Sequence, residues 1–363
     1  MTTIPPQVMS HIHDGATYYP DNPAEYYRAL RKEVVSLRQS TMVAAALRAN
    51  HRAGGHPAVQ AFVERVRSLA ESSTDSRLSL MTHPAFLVWL RQVATLSDAE
   101  VDGPPREEAL HWLGEFHRVC DRCLGSGSGP TPFVENRIPV RRDDVDPLIA
   151  EIAPPTYDFS PLQGTEGVCR AAAWSAYPLG FFAEAASVAL RRCGAVWPEL
   201  AEMVPHFVHT IVHVPDGEFR SASAARYTGV VFLAADDQTL LELEESLVHE
   251  FGHQVLYWVM ELDPVILNDT DTEFALPWSG AERDFYGFYH AFYIYILLAL
   301  YYDRVRKLRP TERDVATTRL HEIATGLSAA IPEINRAGRF TPLGRAFTDN
   351  LCRAATGVIR EAS

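Results

Sequence analysis

Residues 244–262 read EESLVHEFGHQVLYWVMEL, and they constrain the chain more than any other stretch. The run has no proline, and its apolar residues Leu247, Val248, Phe251, Val255 and Leu256 recur around a helix. On that helix His249 and His253 are four residues apart, one turn along one face. Both imidazoles can therefore reach one metal ion, with Glu250 beside them. The bland alternative is a buried amphipathic helix whose two histidines only hydrogen-bond in a core. What surrounds the motif decides between the two.

A chain of 363 residues can bury a substantial core in one large or two small domains. Its formal charge of −13 opposes nonspecific nucleic-acid binding, which needs basic surface to displace counterions. The first 20 residues are polar, with prolines and a His11-Ile12-His13-Asp14 run. They read as a flexible arm rather than a secretion signal. The five cysteines are scattered and odd in number, which suits a reducing cytoplasm. His117, Cys120 and Cys123 resemble half of a zinc site, but no second ligand pair follows.

Helical periodicity runs through residues 21–135: Tyr26, Leu30, Val34 and Leu37, then Val59, Phe62, Val66 and Leu69, then the segments around Trp89 and Trp112. This predicts a helical layer. The Gly/Ser loop at 125–129 and the polar segment 137–161 mark the boundary to a metal-binding region, 136–363, which can also be continuous with the layer. Within that region, residues 207–214 and 229–234 read as strands, and Asp236 or Asp237 is placed to cap the motif helix. His209 and His213 fall on one face of the first strand as further ligands or supporting groups. The expected fold is mainly α with a small β-sheet. A zincin-like strand precedes the HExxH helix, and the fold is not a double-stranded β-helix. A strand edge beside such a helix can hold an extended peptide.

Two histidines do not complete a catalytic metal site. Leu256 stands where a metzincin needs glycine, so that continuation fails. Glu282 and Glu261 are possible third ligands. The first choice is His290, the one histidine in an uncharged run, 285–302. That run approaches the length of a membrane span, but its six tyrosines and His290 favour a buried helix. Arg283 lies seven residues before His290, about 10 Å along a shared helix face, where it can clamp a carboxylate. The alternative is an arginine at the helix entry paired with Asp or Glu.

Several stretches together resemble the bacterial HExxH-motif peptide-modification proteins of ribosomal peptide natural-product pathways. They are Trp197-Pro198-Glu199-Leu200, Ser221-Ala222-Ser223, Gly229 to Leu233, Leu247 to His253, Pro277-Trp278 followed by Arg283, and His290-Ala291. The resemblance covers about residues 181–305. It departs at Ser279-Gly280-Ala281-Glu282, where relatives are richer in proline and arginine. It implies a cytoplasmic iron(II)/2-oxoglutarate-dependent peptide β-hydroxylase. Iron would sit on His249, His253 and His290, 2-oxoglutarate on Arg283, and Glu250 in the site. The substrate would be a precursor peptide, with neither nucleic acid nor membrane as partner. The competing expectation is a zinc metallopeptidase with Glu250 as general base. A peptide-binding protein with a degenerate site is a third, which the intact His249-Glu250-His253 set opposes.

Overall fold

Alternation along short apolar strands puts a sheet between two cores. Side chains of successive strand residues point to opposite faces. Ile211, Val231 and Leu233 accordingly join one buried cluster, while Val212, Val230 and Phe232 join another. Both faces are covered, so these strands read as continuous apolar runs rather than as half-polar ones.

A computed structural model describes residues 23–53, 55–98, 104–125, 133–135, 137–142, 147–152, 179–213, 220–234, 238–268 and 271–362. Six helices come first: α1 (Pro23–Ala53), α2 (Pro57–Glu71), α3 (Thr74–Thr82), α4 (Pro84–Asp98), α5 (Pro104–Gly114) and α6 (Phe116–Leu124). A hairpin of β1 (Phe133–Val134) and β2 (Ile138–Arg142) leads to α7 (Pro147–Ile152), α8 (Leu179–Val196) and α9 (Pro198–Phe207). Strands β3 (Thr210–His213), β4 (Ser221–Ala222) and β5 (Val230–Leu233) precede the motif helix α10 (Leu240–Leu262). A ribbon of β6 (Glu273–Ala275) and β7 (Glu282–Asp284) runs into α11 (Phe285–Leu308), followed by α12 (Arg313–Ala337) and α13 (Pro342–Ala362). The protein is mainly α with a small sheet, as expected.

The sheet order is β1-β2-β3-β5-β4, with β2, β3 and β5 parallel and the two outer strands antiparallel. Where two strands were expected, the described residues form a five-stranded sheet and a two-stranded ribbon. Strands β1 and β4 are two residues long, and β2 carries Pro139, Arg141 and Arg142, so neither length nor alternation marks them. The expected boundary at 135/136 falls in the β1–β2 turn. Helix α1 also spans the division, with Tyr27, Leu30 and Val34 in one cluster and Val35, Met42 and Ala45 in the other. The arm at 1–20 lies outside the described residues.

Two details position the site. The N-cap of α10 is Thr239, in a capping box with Glu242 (Thr239 N to Glu242 Oε2, 2.8 Å), instead of Asp236 or Asp237, which lie outside the described residues. A Thr-x-x-Glu signature was present in the sequence at this point. Helices α10 and α11 also approach closely at Gly252, between the motif histidines. A Cβ there would come within 2.6 Å of Ile294 Cδ1 and 2.8 Å of Leu297 Cδ2. This contact draws the middle of α11 towards the motif. Among the described residues, no helix is long and apolar enough to cross a membrane.

On the same helix, Glu244 is fully buried and bridges α8, α10 and α11. Arg192, Arg309 (2.7 Å) and the Tyr301 hydroxyl all donate to its carboxylate. Glu244→Ala is expected to cost about 3 kcal/mol, the low end for a broken buried pair, because it removes the buried acceptor of Arg192, Arg309 and Tyr301 but leaves the two arginines Glu312, the other carboxylate they share. Denaturant unfolding measures it, and a loss below about 1 kcal/mol would mean that Glu312 and solvent already compensate these cations.

Candidate metal centre

Helix α10 sets the motif. His249 and His253 share a face, and their Nε2 atoms are 3.2 Å apart. Two nitrogens bound to one tetrahedral ion at 2.0–2.1 Å would be about 3.3 Å apart. His290 comes from α11. Its ring stacks on that of His253, with centroids 5.4 Å apart and planes 20° apart, and the two Nδ1 atoms are 3.2 Å apart. His249 is the outermost member, with its side chain 32% exposed, whereas His290 is 4% exposed.

His253 thus addresses His249 through one nitrogen and His290 through the other. A neutral imidazole carries one N–H, so the three rings form a one-directional chain of N–H···N bonds. Either direction leaves His290 Nε2 buried without a partner. Burial, with positive charge on its histidine neighbours as a smaller contribution, holds the pKa of His253 well below the usual value. Burial alone puts that of His290 at about 3. These rings are therefore neutral near neutral pH, the form that donates a lone pair to a metal.

Among the described residues, no group of three or more His, Cys, Asp or Glu side chains closes around a metal ion. The reason is the orientation of the rings. His249 and His253 converge as two ligands of one ion would, while His290 turns its Nδ1 to the far side of His253. The donor chemistry, the 3.2 Å pair and the orphaned His290 Nε2 fit a metal, although the third ligand does not converge on it in this arrangement.

Glu250 is 1% exposed, with Oε1 4.0 Å from His249 Nε2 and Oε2 buried without a partner. Burial raises its pKa, opposed by His249 and by hydrogen bonding from Ser221 and Ser223. The Ser221–Ser223 segment is tied to α10 by Gln254, whose Nε2 donates to Ser223 Oγ and the Val230 carbonyl (both 3.1 Å). Its Oε1 accepts from Gly229 N at 2.7 Å. Gly229 has φ +92°, and a Cβ would meet Pro84 Cγ at 2.9 Å, so this turn needs glycine.

The other expected residues are distributed differently. Glu261 is held bidentately by the buried Arg38 (2.8 and 2.7 Å), and Glu282 is exposed in β7. Arg283 is also in β7, ahead of the α11 N-cap Asp284, so the shared helix face expected for Arg283 and His290 does not exist. Its Nη1 donates to the Glu282 carbonyl at 2.8 Å. Two aromatic neighbours of His290 were missed. Tyr257 follows His253 by one turn, and Tyr286 precedes His290 by one turn. Their rings lie 5.4 and 4.2 Å from that of His290, and helical register alone would have found both. No protein-family model matches the chain, and no curated protein matches it either.

His209, just before β3, is separate from the triad. Its Nε2 is buried without a partner, although part of the residue is accessible. Burial, then the positive charges of His83, Arg31, Arg38 and His206, push its pKa down to about 3. The unfolded chain, with a value of about 6.5, takes up a proton that the folded chain refuses. This contribution to stability is complete above about pH 6.5 and is lost as the pH falls towards 3, by up to about 1.4 kcal/mol per unit. His209→Gln should flatten the fall in unfolding free energy between pH 6 and 4. An unchanged slope would show that His209 protonates freely in the folded state.

Proposed function

We propose that this chain is a cytoplasmic iron(II)/2-oxoglutarate-dependent oxygenase that hydroxylates a β-carbon of a residue in a ribosomally made peptide. The observation that most supports this is the third imidazole. His290 comes from a second helix, is buried against His253 and is kept neutral beside the HExxH pair. His249 and His253 would hold the metal and His290 would complete the protein ligands. Bound iron and 2-oxoglutarate would supply the oxidising chemistry.

The chain's own residues supply access and order. His249 is on the solvent side, so substrate approaches across it. Strand β4 is the outer strand of the sheet beside Glu250, where an extended peptide can add by main-chain hydrogen bonds. Gln254 and Tyr257 hold Ser223, the latter by a 3.2 Å bond to its carbonyl, and keep that edge in register with α10.

The test is incubation of anaerobically prepared protein with iron, ascorbate, 2-oxoglutarate and candidate peptides, followed by exposure to oxygen. Expected is a gain of one oxygen in the peptide, matched by succinate. Peptide cleavage indifferent to 2-oxoglutarate would instead establish the second reading, a zinc peptidase. That reading draws on Glu250, which burial pushes above the usual carboxylate value, the direction that suits a base toward an attacking water.

A further inference from the structure

The face of α10 that carries the histidines continues past them. His249, His253, Tyr257 and Met260 follow one another at spacings of four, four and three residues, which keeps them on one side of the helix. Met260 is therefore about 10 Å along the axis from His253. Helix α11 repeats the arrangement, with Tyr286 one turn before His290. A cavity of about 380 Å³ lies here, walled by Tyr257, Met260 and Tyr286 with Arg91, Arg226 and Glu261. That is within the range of small-molecule sites, about 300–1,000 Å³. We infer that this cavity takes one uncharged aromatic side chain of the peptide substrate, from a residue neighbouring the one at the metal. That the occupant belongs to a peptide substrate rests on the proposed function; the preference for an aromatic group does not.

The charged residues of the wall are committed to partners inside the protein. Glu261 is held bidentately by Arg38. Arg91 donates to the Ala225 carbonyl and, at 2.9 Å, to Thr228 Oγ1. The Arg226 guanidinium lies over the Tyr227 ring at 4.8 Å. Tyr257 gives its proton to the Ser223 carbonyl at 3.2 Å. A charged group entering here would have to break one of these contacts, and it would lose hydration as well. Both phenols are neutral, since burial pushes Tyr286 up to about 12 and Tyr257 well above its usual value. What the wall offers without such a loss is two tyrosine rings and a thioether. Tyr286 is 40% exposed, so its ring has surface left for an occupant. Rings pack on rings offset or edge-on, and sulfur packs favourably against a ring edge, so the match is an aromatic group.

Chain order places the cavity next to the strand edge. Ser221 and Ser223 hydrogen-bond to Glu250, and shortly after Ser223 the chain reaches Ala225 and Arg226 in the cavity wall. Tyr257 belongs to both, through its bond to the Ser223 carbonyl and its place in the wall. A peptide paired with β4 therefore meets Glu250 first and the cavity next. Tyr286 packs on His290 at 4.2 Å, and Tyr257 lies 5.4 Å from His290 and 6.0 Å from His253. A side chain seated in the cavity thus rests on the rings that cover the triad, and it fixes which residue of the peptide stands at the metal.

Calorimetric titration of the metal-free full-length chain tests the cavity without any turnover. The probes are capped alanine pentapeptides whose central residue is phenylalanine, leucine, glutamate or lysine. The phenylalanine peptide should bind about tenfold more tightly than the two charged ones, the worth of burying one such side chain. It should bind about threefold more tightly than the leucine peptide, from ring–ring contact. Met260→Trp fills the cavity and should abolish both preferences. If that variant fails to fold, judged by its melting profile, Tyr286→Ala removes a wall and carries the test with the same expected loss. No measurable binding of the phenylalanine peptide, an affinity no better than that of the leucine peptide, or a preference that survives in a folded variant overturns the inference. Met260-dependent selectivity without oxidation of any peptide would support the cavity and count against the oxygenase. Oxidation indifferent both to a neighbouring aromatic residue and to Met260→Trp would overturn the cavity and leave the oxygenase.

Discussion

Replacing His253 with alanine is expected to abolish stoichiometric metal binding, with His249→Ala doing the same and His290→Ala weakening it tenfold or more. His253 is the middle ring, 3.2 Å from a nitrogen of each neighbour, so its loss removes one ligand and the support of a second. His249 Nε2 lies 3.2 Å from His253 Nε2, the spacing of two ligands on one ion. His290 does not converge with that pair, so its contribution depends on a ring adjustment and its loss should cost less. Metal content after anaerobic loading and desalting gives the answer directly. Tight iron binding by His290→Ala together with its loss in Glu282→Ala would move the third ligand to Glu282. Acidification should release the metal, since protons compete for the same lone pairs. The depressed pKa values of His253 and His290 place that release below the usual histidine range.

What could be read from the sequence was whatever depends on local period. The spacing of His249 and His253, the uncharged run that became α11, and the apolar cores of β3 and β5 were all visible as patterns. Elements whose stability comes from neighbours were not. Strand β2, with its proline and two arginines, is a strand because Val140 and Arg141 pair with Ile211 and Val212. The two residues of β4 are ordered by their pairing with Phe232 and Leu233. The helix face expected to carry Arg283 was misplaced at a boundary: Asp284 accepts from Gly287 N at 2.8 Å and caps α11 one residue after Arg283. The backbone of Arg283 therefore lies in the ribbon, while its Cβ and Cδ pack beside Gly287 in the first turn of α11. Arg91 ties α4 to the 3-10 turn at Ala225–Tyr227, a contact between residues over a hundred positions apart that no local pattern announces. Pro277-Trp278, quoted for its resemblance, has a structural explanation as well. Trp278 stacks on Tyr295 at 4.0 Å and bonds the Ile323 carbonyl, pinning the ribbon to α11 and α12.

Glu250→Gln is expected to separate the two enzyme readings, because they ask different things of one carboxylate. In a peptidase Glu250 takes a proton from the attacking water and passes it to the leaving amine, and loss of such a base typically costs about 10²–10⁴-fold in rate. In an oxygenase the oxygen comes from O₂, and Glu250 is left to position its neighbours. It lies 4.0 Å from His249 and takes hydrogen bonds from Ser221 and Ser223, so it can set the inner side of the metal centre and the strand edge together. Losses of supporting groups of that kind typically cost about 10–100-fold. The substitution is also gentle on the fold. Glutamine keeps the shape and removes a carboxylate whose charge is disfavoured by burial, so stability near neutral pH should hold or rise. Expected for purified Glu250→Gln, supplied with iron, ascorbate and 2-oxoglutarate, is residual peptide oxidation within two orders of magnitude of wild type and still coupled to succinate. Cleavage by zinc-loaded wild type that vanishes in Glu250→Gln and ignores 2-oxoglutarate would assign the carboxylate to hydrolysis, and the chain to the peptidases.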